Sequence, residues 1–232
     1  MFLEKENTEN IVVKKDDILR SLLQKSIRRS QLSIMLRTIC LLLKNNDHKF
    51  LIDRFPIILF EEAWHLADSI KISNDLDSTL HNYINICLSK KNKKAAGLAL
   101  LYNTIVRDKN VLNNTLLNEE KSLYLSDLFD HVEASKYSND FKRLCNNILN
   151  ENDNKSIFVE NCLIAYEKAE LFTDELYPII ALNIYHLDKS IPSFEYIKEE
   201  KPSDFDYSIA IDKHTKRGKE VLEQVSKMLR LN

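Results

Sequence analysis

Asp16-Asp17-Ile18-Leu19-Arg20-Ser21-Leu22-Leu23-Gln24-Lys25-Ser26-Ile27-Arg28-Arg29 runs directly into Ser30-Gln31-Leu32-Ser33-Ile34-Met35-Leu36-Arg37-Thr38-Ile39-Cys40-Leu41-Leu42-Leu43. Apolar residues recur three and four apart in both halves: Ile18, Leu22, Leu23 and Ile27, then Leu32, Met35, Leu36, Ile39, Cys40 and Leu43. That is the period of a helix with one buried stripe, not of a strand. Asp16 and Asp17 suit a helix start, Ser30 is expected to cap the second helix, and Asn45-Asn46-Asp47 to end it. A connection this short predicts an antiparallel pair.

The same period extends over most of the chain, with helices expected near 75–89, 92–108, 119–130, 138–149, 155–169 and 173–187. Residues 48–54 read as a short helix. Pro56 then suits the first turn of another running through Trp64 to about Asp68, because proline lacks only an amide proton that has no helical partner there. With two glycines and four prolines in 232 residues, Asn-Gly and Asp-Gly hairpin turns are missing. The chain is expected to be all-α, a single multi-helix domain of antiparallel helix pairs. Residues 1–14 are expected to be a flexible N-terminus and 15–232 the helical domain. Asn146 to Lys155 is either a hinge or a long surface loop, 188–204 is the one credible long loop, and a final helix is expected within 206–230.

Composition removes several function classes. A phosphate-cradling loop, a dinucleotide fingerprint and a nucleophile elbow all need glycines at fixed spacing, and Gly97 and Gly218 cannot supply them. No enzyme of those types is expected, and no cofactor. Cys40, Cys87, Cys145 and Cys162 form no CxxC pair and read as buried thiols in a reducing compartment. The start Met1-Phe2-Leu3-Glu4-Lys5-Glu6 is unlike a signal peptide, and no run reaches membrane-spanning length, so a cytoplasmic protein without a membrane partner is expected.

A formal charge of -2 hides an uneven distribution. Cations gather at Lys25, Arg28 and Arg29, at Lys90, Lys91, Lys93 and Lys94, and at Lys213, Lys216, Arg217 and Lys219. If Asn92 starts a helix, Lys93 and Lys94 lie at its positive end, a placement that an anion such as DNA phosphate would explain. Lys90 and Lys91 alternatively finish the preceding helix, where cations are favoured. In the octet Asp212 to Lys219, Asp212 or Thr215 can cap a helix, His214 is titratable and Gly218 permits close backbone approach. An ordinary solvated helix start accounts for the same residues. Glu61, His65 and Asp68 at i, i+4 and i+7 would share a helix face able to hold a metal or an acid/base pair, although Glu61 with His65 is also an ordinary helix pair. Trp64 reads as core or as an interface anchor.

Lys25-Ser26-Ile27-Arg28-Arg29-Ser30, Phe50-Leu51-Ile52-Asp53-Arg54-Phe55-Pro56-Ile57-Ile58-Leu59-Phe60-Glu61-Glu62 and Leu66-Ala67-Asp68 together resemble the C-terminal helical domain of the RarA/MgsA family of replication-associated recombination ATPases, relatives of clamp loaders. Phe205-Asp206-Tyr207 through Gly218 resembles the closing Asp-x-His-Thr-x-Arg-Gly element of small proteins that carry this domain without its ATPase. In the family the apolar run continues into Ser-Glu-Asp, a glycine and Leu-Ala-Asp. Here Glu61 or Glu62 takes the glutamate's place according to register, and Trp64 or His65 stands at the glycine.

The resemblance implies a collar-like helical body that self-associates in DNA replication, repair or recombination without hydrolysing ATP. DNA or a replication or repair protein is the implied partner. Its matched residues are Arg28, Arg54, Asp68, Asp212, His214, Thr215, Arg217 and Gly218. Arg28, Arg54 and Asp68 are equally readable as a structural ion-pair network. The expected phosphate contacts are Arg28, Arg29, Lys90, Lys91, Lys93, Lys94, Lys213, His214, Thr215, Lys216, Arg217 and Lys219. A protein-only scaffold and a small metal-dependent nuclease or hydrolase built on Glu61, His65 and Asp68 are the alternatives.

Overall fold

The structure, a computed structural model, describes residues 15–107, 119–151 and 156–187. Among them the chain is all-α, with nine α-helices and no strand: α1 Lys15–Arg28, α2 Leu32–Lys44, α3 His48–Ala63, α4 Leu76–Leu88, α5 Lys94–Arg107, α6 Glu119–Ser135, α7 Ser138–Glu151, α8 Ser156–Glu167 and α9 Phe172–Leu187. A single 3-10 turn, Trp64–Leu66, follows α3. Residues 146–151, the start of the segment expected to be a hinge or loop, form the end of α7. Residues 152–155, the expected flexible N-terminus, the loop at 188–204 and the last helix fall outside the described residues.

Two helices make the centre. In α3 every residue from Phe55 to Ala63 is buried, and in α9 every residue from Leu176 to Ile184. The other helices wrap them: α3 packs against α1, α2, α4, α5, α8 and α9, while α9 packs against α3, α5, α6 and α8. Phe158 of α8 joins the two, stacked on Tyr185 at 4.1 Å between ring centres and edge-on to Phe60 at 5.9 Å.

The expected break before Pro56 does not occur, because α3 runs unbroken through it. A proline inside a helix costs about 3 kcal/mol through one lost hydrogen bond and a clash with the carbonyl four residues back. Leu51, Phe55, Ile57, Ile58, Leu59 and Phe60 are all buried, each worth about 1.5–3 kcal/mol relative to exposure. Packing therefore outweighs the local penalty. Pro178 lies inside α9 for the same reason, among residues that are buried on every side.

Ser30 also does something other than cap α2. It sits at φ 56 in the left-handed region, its amide bonded to the Ile27 carbonyl at 3.0 Å and the Gln31 amide to the Ser26 carbonyl at 2.8 Å. This pair of bonds ends α1 in the manner usually given to glycine. Gln31 precedes α2 without a side-chain cap. Asn46, at φ 59, ends α2 identically, with Asn46 bonded to Leu43 at 3.0 Å and Asp47 to Leu42 at 3.0 Å.

The segment between the 3-10 turn and α4 is fastened by one buried side chain. Asn161 Nδ2 donates to the Ala67 and Ile70 carbonyls at 2.7 and 2.6 Å, and its Oδ1 accepts from the Ile72 amide at 3.3 Å. Asn161→Leu leaves those three backbone groups without their partner, each loss being of order 1 kcal/mol or more in a buried setting. Equilibrium urea unfolding is expected to show a loss of about 3 kcal/mol in this variant. Unchanged stability would mean that water replaces the amide there.

Candidate functional site

At the end of α3, buried charges from three helices meet. Glu61 and Glu62 are neighbours, so about 100° of helix separates their directions, yet both carboxylates face α1. One guanidinium forks between them: Arg28 Nη2 lies 2.5 Å from Glu61 Oε1, and Arg28 Nε lies 2.7 Å from Glu62 Oε1. Gln24, one turn before Arg28 and therefore on its face, donates through Nε2 to Glu61 and accepts at Oε1 from Arg54 Nη2 at 3.2 Å. Arg54 Nη1 pairs with Asp174 of α9 at 2.7 Å. Gln24 is thus the uncharged link between two ion pairs.

Burial decides the electrostatics here. Glu61 is 8% exposed, Glu62 0% and Asp174 3%. Loss of hydration, together with the charge of Glu62, outweighs Arg28 and Arg54 and pushes the Glu61 carboxyl up to about 7. Burial raises Glu62 as well, against the pull of Arg28, Lys93 and Lys91. The Tyr177 hydroxyl of α9 is raised by burial and by the charges of Glu61 and Asp174.

Several expectations change at this cluster. Arg28, read as a phosphate contact or an ion-pair residue, spends its guanidinium on Glu61 and Glu62. The acids of the network are Glu61, Glu62 and Asp174, whereas Asp68 is exposed. Glu61, His65 and Asp68 share no helix face, because Ala63 leaves helical geometry at φ -154 and ψ 44 and a 3-10 turn follows. Glu61 points into the cluster, while His65 is on the surface, its imidazole held below the usual range chiefly by partial burial. Among the described residues no group of three His, Cys, Asp or Glu side chains is placed to hold a metal ion. Cys87, Cys145 and Cys162 are buried free thiols, but Cys40, expected in the stripe of α2, is exposed, because the buried face of that helix runs through Ile34, Met35, Thr38, Ile39 and Leu42.

The basic residues of the α4–α5 connection divide into two groups. Lys91 Nζ lies 2.7 Å from the Ile86 carbonyl, 2.9 Å from those of Cys87 and Ser89, and 3.2 Å from Ser30 Oγ. An ammonium has three protons, so Lys91 is committed to closing α4, at the end where a helix favours a cation. This corrects its reading as a phosphate contact in favour of the helix-ending alternative. Asn92 begins α5 from outside: its Oδ1 accepts from the Lys94 amide at 3.2 Å and from Trp64 Nε1 at 3.1 Å, and its own amide donates to the Glu62 carbonyl at 2.8 Å. Trp64 is half-buried and edge-on to Phe158, an element of the core margin.

Lys90 is exposed, and Lys93 and Lys94 are half-buried. Burial alone draws the Lys94 ammonium down to about 8, at the helix end where a cation is disfavoured. Lys93 stands 3.9 Å from Glu62 Oε2. Through the Lys91 to Ser30 contact this connection lies against the corner between α1 and α2, which carries Lys25 and Arg29. Two basic clusters some 61 residues apart in sequence thereby become neighbours. The third, with Asp212, Lys213, His214, Thr215, Lys216, Arg217, Gly218 and Lys219, lies outside the described residues.

Gln24 and Asp174 were not foreseen as members of the site. Gln24 shares the polar face of α1 with Arg20, Ser21 and Arg28, and nothing in its spacing sets it apart from an ordinary solvated residue. Asp174, 120 residues from Arg54, had no signal either. No family model, no curated protein and no solved structure matches the chain.

Proposed function

We propose that this chain is a non-enzymatic helical module of DNA replication, repair or recombination, its helix pairs stacked as in a clamp-loader collar, acting by self-association and by gripping DNA phosphate or a protein partner. The grip is the rim formed by Lys25 and Arg29 at the α1–α2 corner with Lys90, Lys93 and Lys94 at the α4–α5 connection. One observation carries the reading: the 3.2 Å contact from Lys91 to Ser30 seats these clusters side by side. Lys94 supports it, since an ammonium that burial already draws down gains most from an anion beside it. Arg28, Glu61 and Glu62 set the position of the rim from beneath.

Phosphate binding by a rim of this size has a definite salt signature. Each phosphate neutralised on a duplex contributes about -0.9 to the slope of log affinity against log salt concentration. Three or four contacts therefore predict a slope of about -3, and Lys90→Ala or Lys94→Ala should each flatten it by roughly 1 without regard to DNA sequence. Fluorescence anisotropy with labelled duplex and single-stranded DNA across a salt series measures this. Binding that ignores salt, or none to any DNA form, overturns the DNA reading. Partner recovery that survives nuclease would then favour a protein-only scaffold.

A further inference from the structure

Glu62 has no exposed surface, yet only one of its oxygens is hydrogen-bonded. Oε1 takes Arg28 Nε at 2.7 Å, while Oε2 accepts no hydrogen bond and has Lys93 Nζ at 3.9 Å, beyond hydrogen-bond range. A buried carboxylate oxygen without a donor is costly, and the nearby ammonium offsets part of that cost. Lys93 is itself 26% exposed. It therefore stands between an incompletely satisfied internal anion and the solvent side of the rim.

We propose that Glu62 competes with phosphate for Lys93: phosphate engages Lys93 by replacing the Glu62 contact, and Glu62 takes up a proton as that contact opens. The proposal rests on the rim reading above and assigns its regulation to a residue that never touches the ligand. The groups facing Glu62 are Arg28 from α1, its neighbour Glu61 on α3, and Lys91 and Lys93 from the α4–α5 connection. With Arg28 and Lys93 both in place, burial already holds this carboxyl above its ordinary range. Drawing Lys93 away moves it further in that direction. The bound form thus holds its proton more tightly than the free form, so affinity rises as pH falls.

His65, beside Lys90 and Lys91, gains charge over part of the same range and gives the same sign. Glu62→Gln separates the two, because it keeps His65. Binding of one labelled duplex is measured at fixed salt near pH 6 and near pH 8. Glu62→Gln is expected to bind about fivefold to tenfold tighter than the unmodified chain at the higher pH and to lose most of the pH dependence. Affinity within about twofold of the unmodified chain, with the same pH profile, overturns the competition while leaving the rim intact. Should Glu62→Gln fail to fold, calorimetry of the unmodified chain in buffers of different ionisation enthalpy counts the protons taken up on binding. Uptake that diminishes in Lys93→Met is expected, and equal uptake in both overturns the proposal. A chain that binds no duplex even in low salt overturns the rim reading, and the competition falls with it.

Discussion

Replacing Arg28 with methionine is expected to lower the unfolding free energy by about 3–5 kcal/mol, the usual cost of removing one partner from a buried ion pair. Methionine keeps most of the aliphatic stem, so lost packing contributes little. What disappears is the guanidinium that lies 2.5 Å from Glu61 and 2.7 Å from Glu62. Both carboxylates stay enclosed, Glu62 with Lys93 at 3.9 Å and Glu61 with Gln24. Since domains are stable by only about 5–15 kcal/mol, such a loss leaves a marginal fold. Urea unfolding near pH 8 should show it in full, and the deficit should shrink toward pH 5 as the two acids protonate. Combining Arg28→Met with Glu61→Gln and Glu62→Leu should recover much of the loss, because an apolar replacement of a buried charge cluster is often neutral or better. A loss below about 1 kcal/mol in the single variant would mean that the acids are already neutral in the folded protein.

Helix existence was legible because a period of three and four needs only neighbouring residues, whereas the departures all come from contacts that no local window contains. Pro56 reads as a helix start by its chemistry, and only the burial of Leu51 and Phe55 before it explains why α3 passes through. Ser30 has the side chain of a helix cap, but the chain has no glycine near it to end α1, so the serine takes the left-handed position instead. Glu61, His65 and Asp68 have the spacing of one face, and the face vanishes because the helix stops between the first and the second. At the candidate site, Arg28, Arg54, Glu61 and Glu62 were singled out by resemblance, but their pairing was not. Asp174 enters from α9, and nothing near it in sequence marks it as the partner of Arg54. The juxtaposition of Ser30 with Lys91 is of the same kind: each cluster was visible, and their meeting depends on how α1, α3 and α4 pack.

Stability should fall, not rise, as pH increases from about 5 to about 8. The Glu61 carboxyl is pushed from 4.5 up to about 7 by burial and by Glu62, so between these values the folded chain holds a proton that the unfolded chain has released. Unfolding then releases that proton, and a higher pH favours the unfolded state. The contribution of Glu61 is complete below about 4.5 and is lost as pH passes through about 7, with a full size on the order of 3 kcal/mol at 1.36 kcal/mol per unit. Glu62 and Glu175, both raised by burial, act in the same direction. Asp53 acts oppositely: Lys168 and Lys49 hold its carboxyl below the usual range in spite of burial, so its contribution is lost only as pH falls below 3.8. The two trends place the stability maximum on the acid side of neutrality, between the region where Asp53 protonates and the region where Glu61 ionises. Urea midpoints measured at intervals across this range should decline steadily in the unmodified chain. Glu61→Gln, which keeps a carbonyl acceptor for Arg28 but cannot ionise, should flatten the decline. A midpoint that rises with pH would mean that Arg28 and Arg54 hold Glu61 ionised throughout.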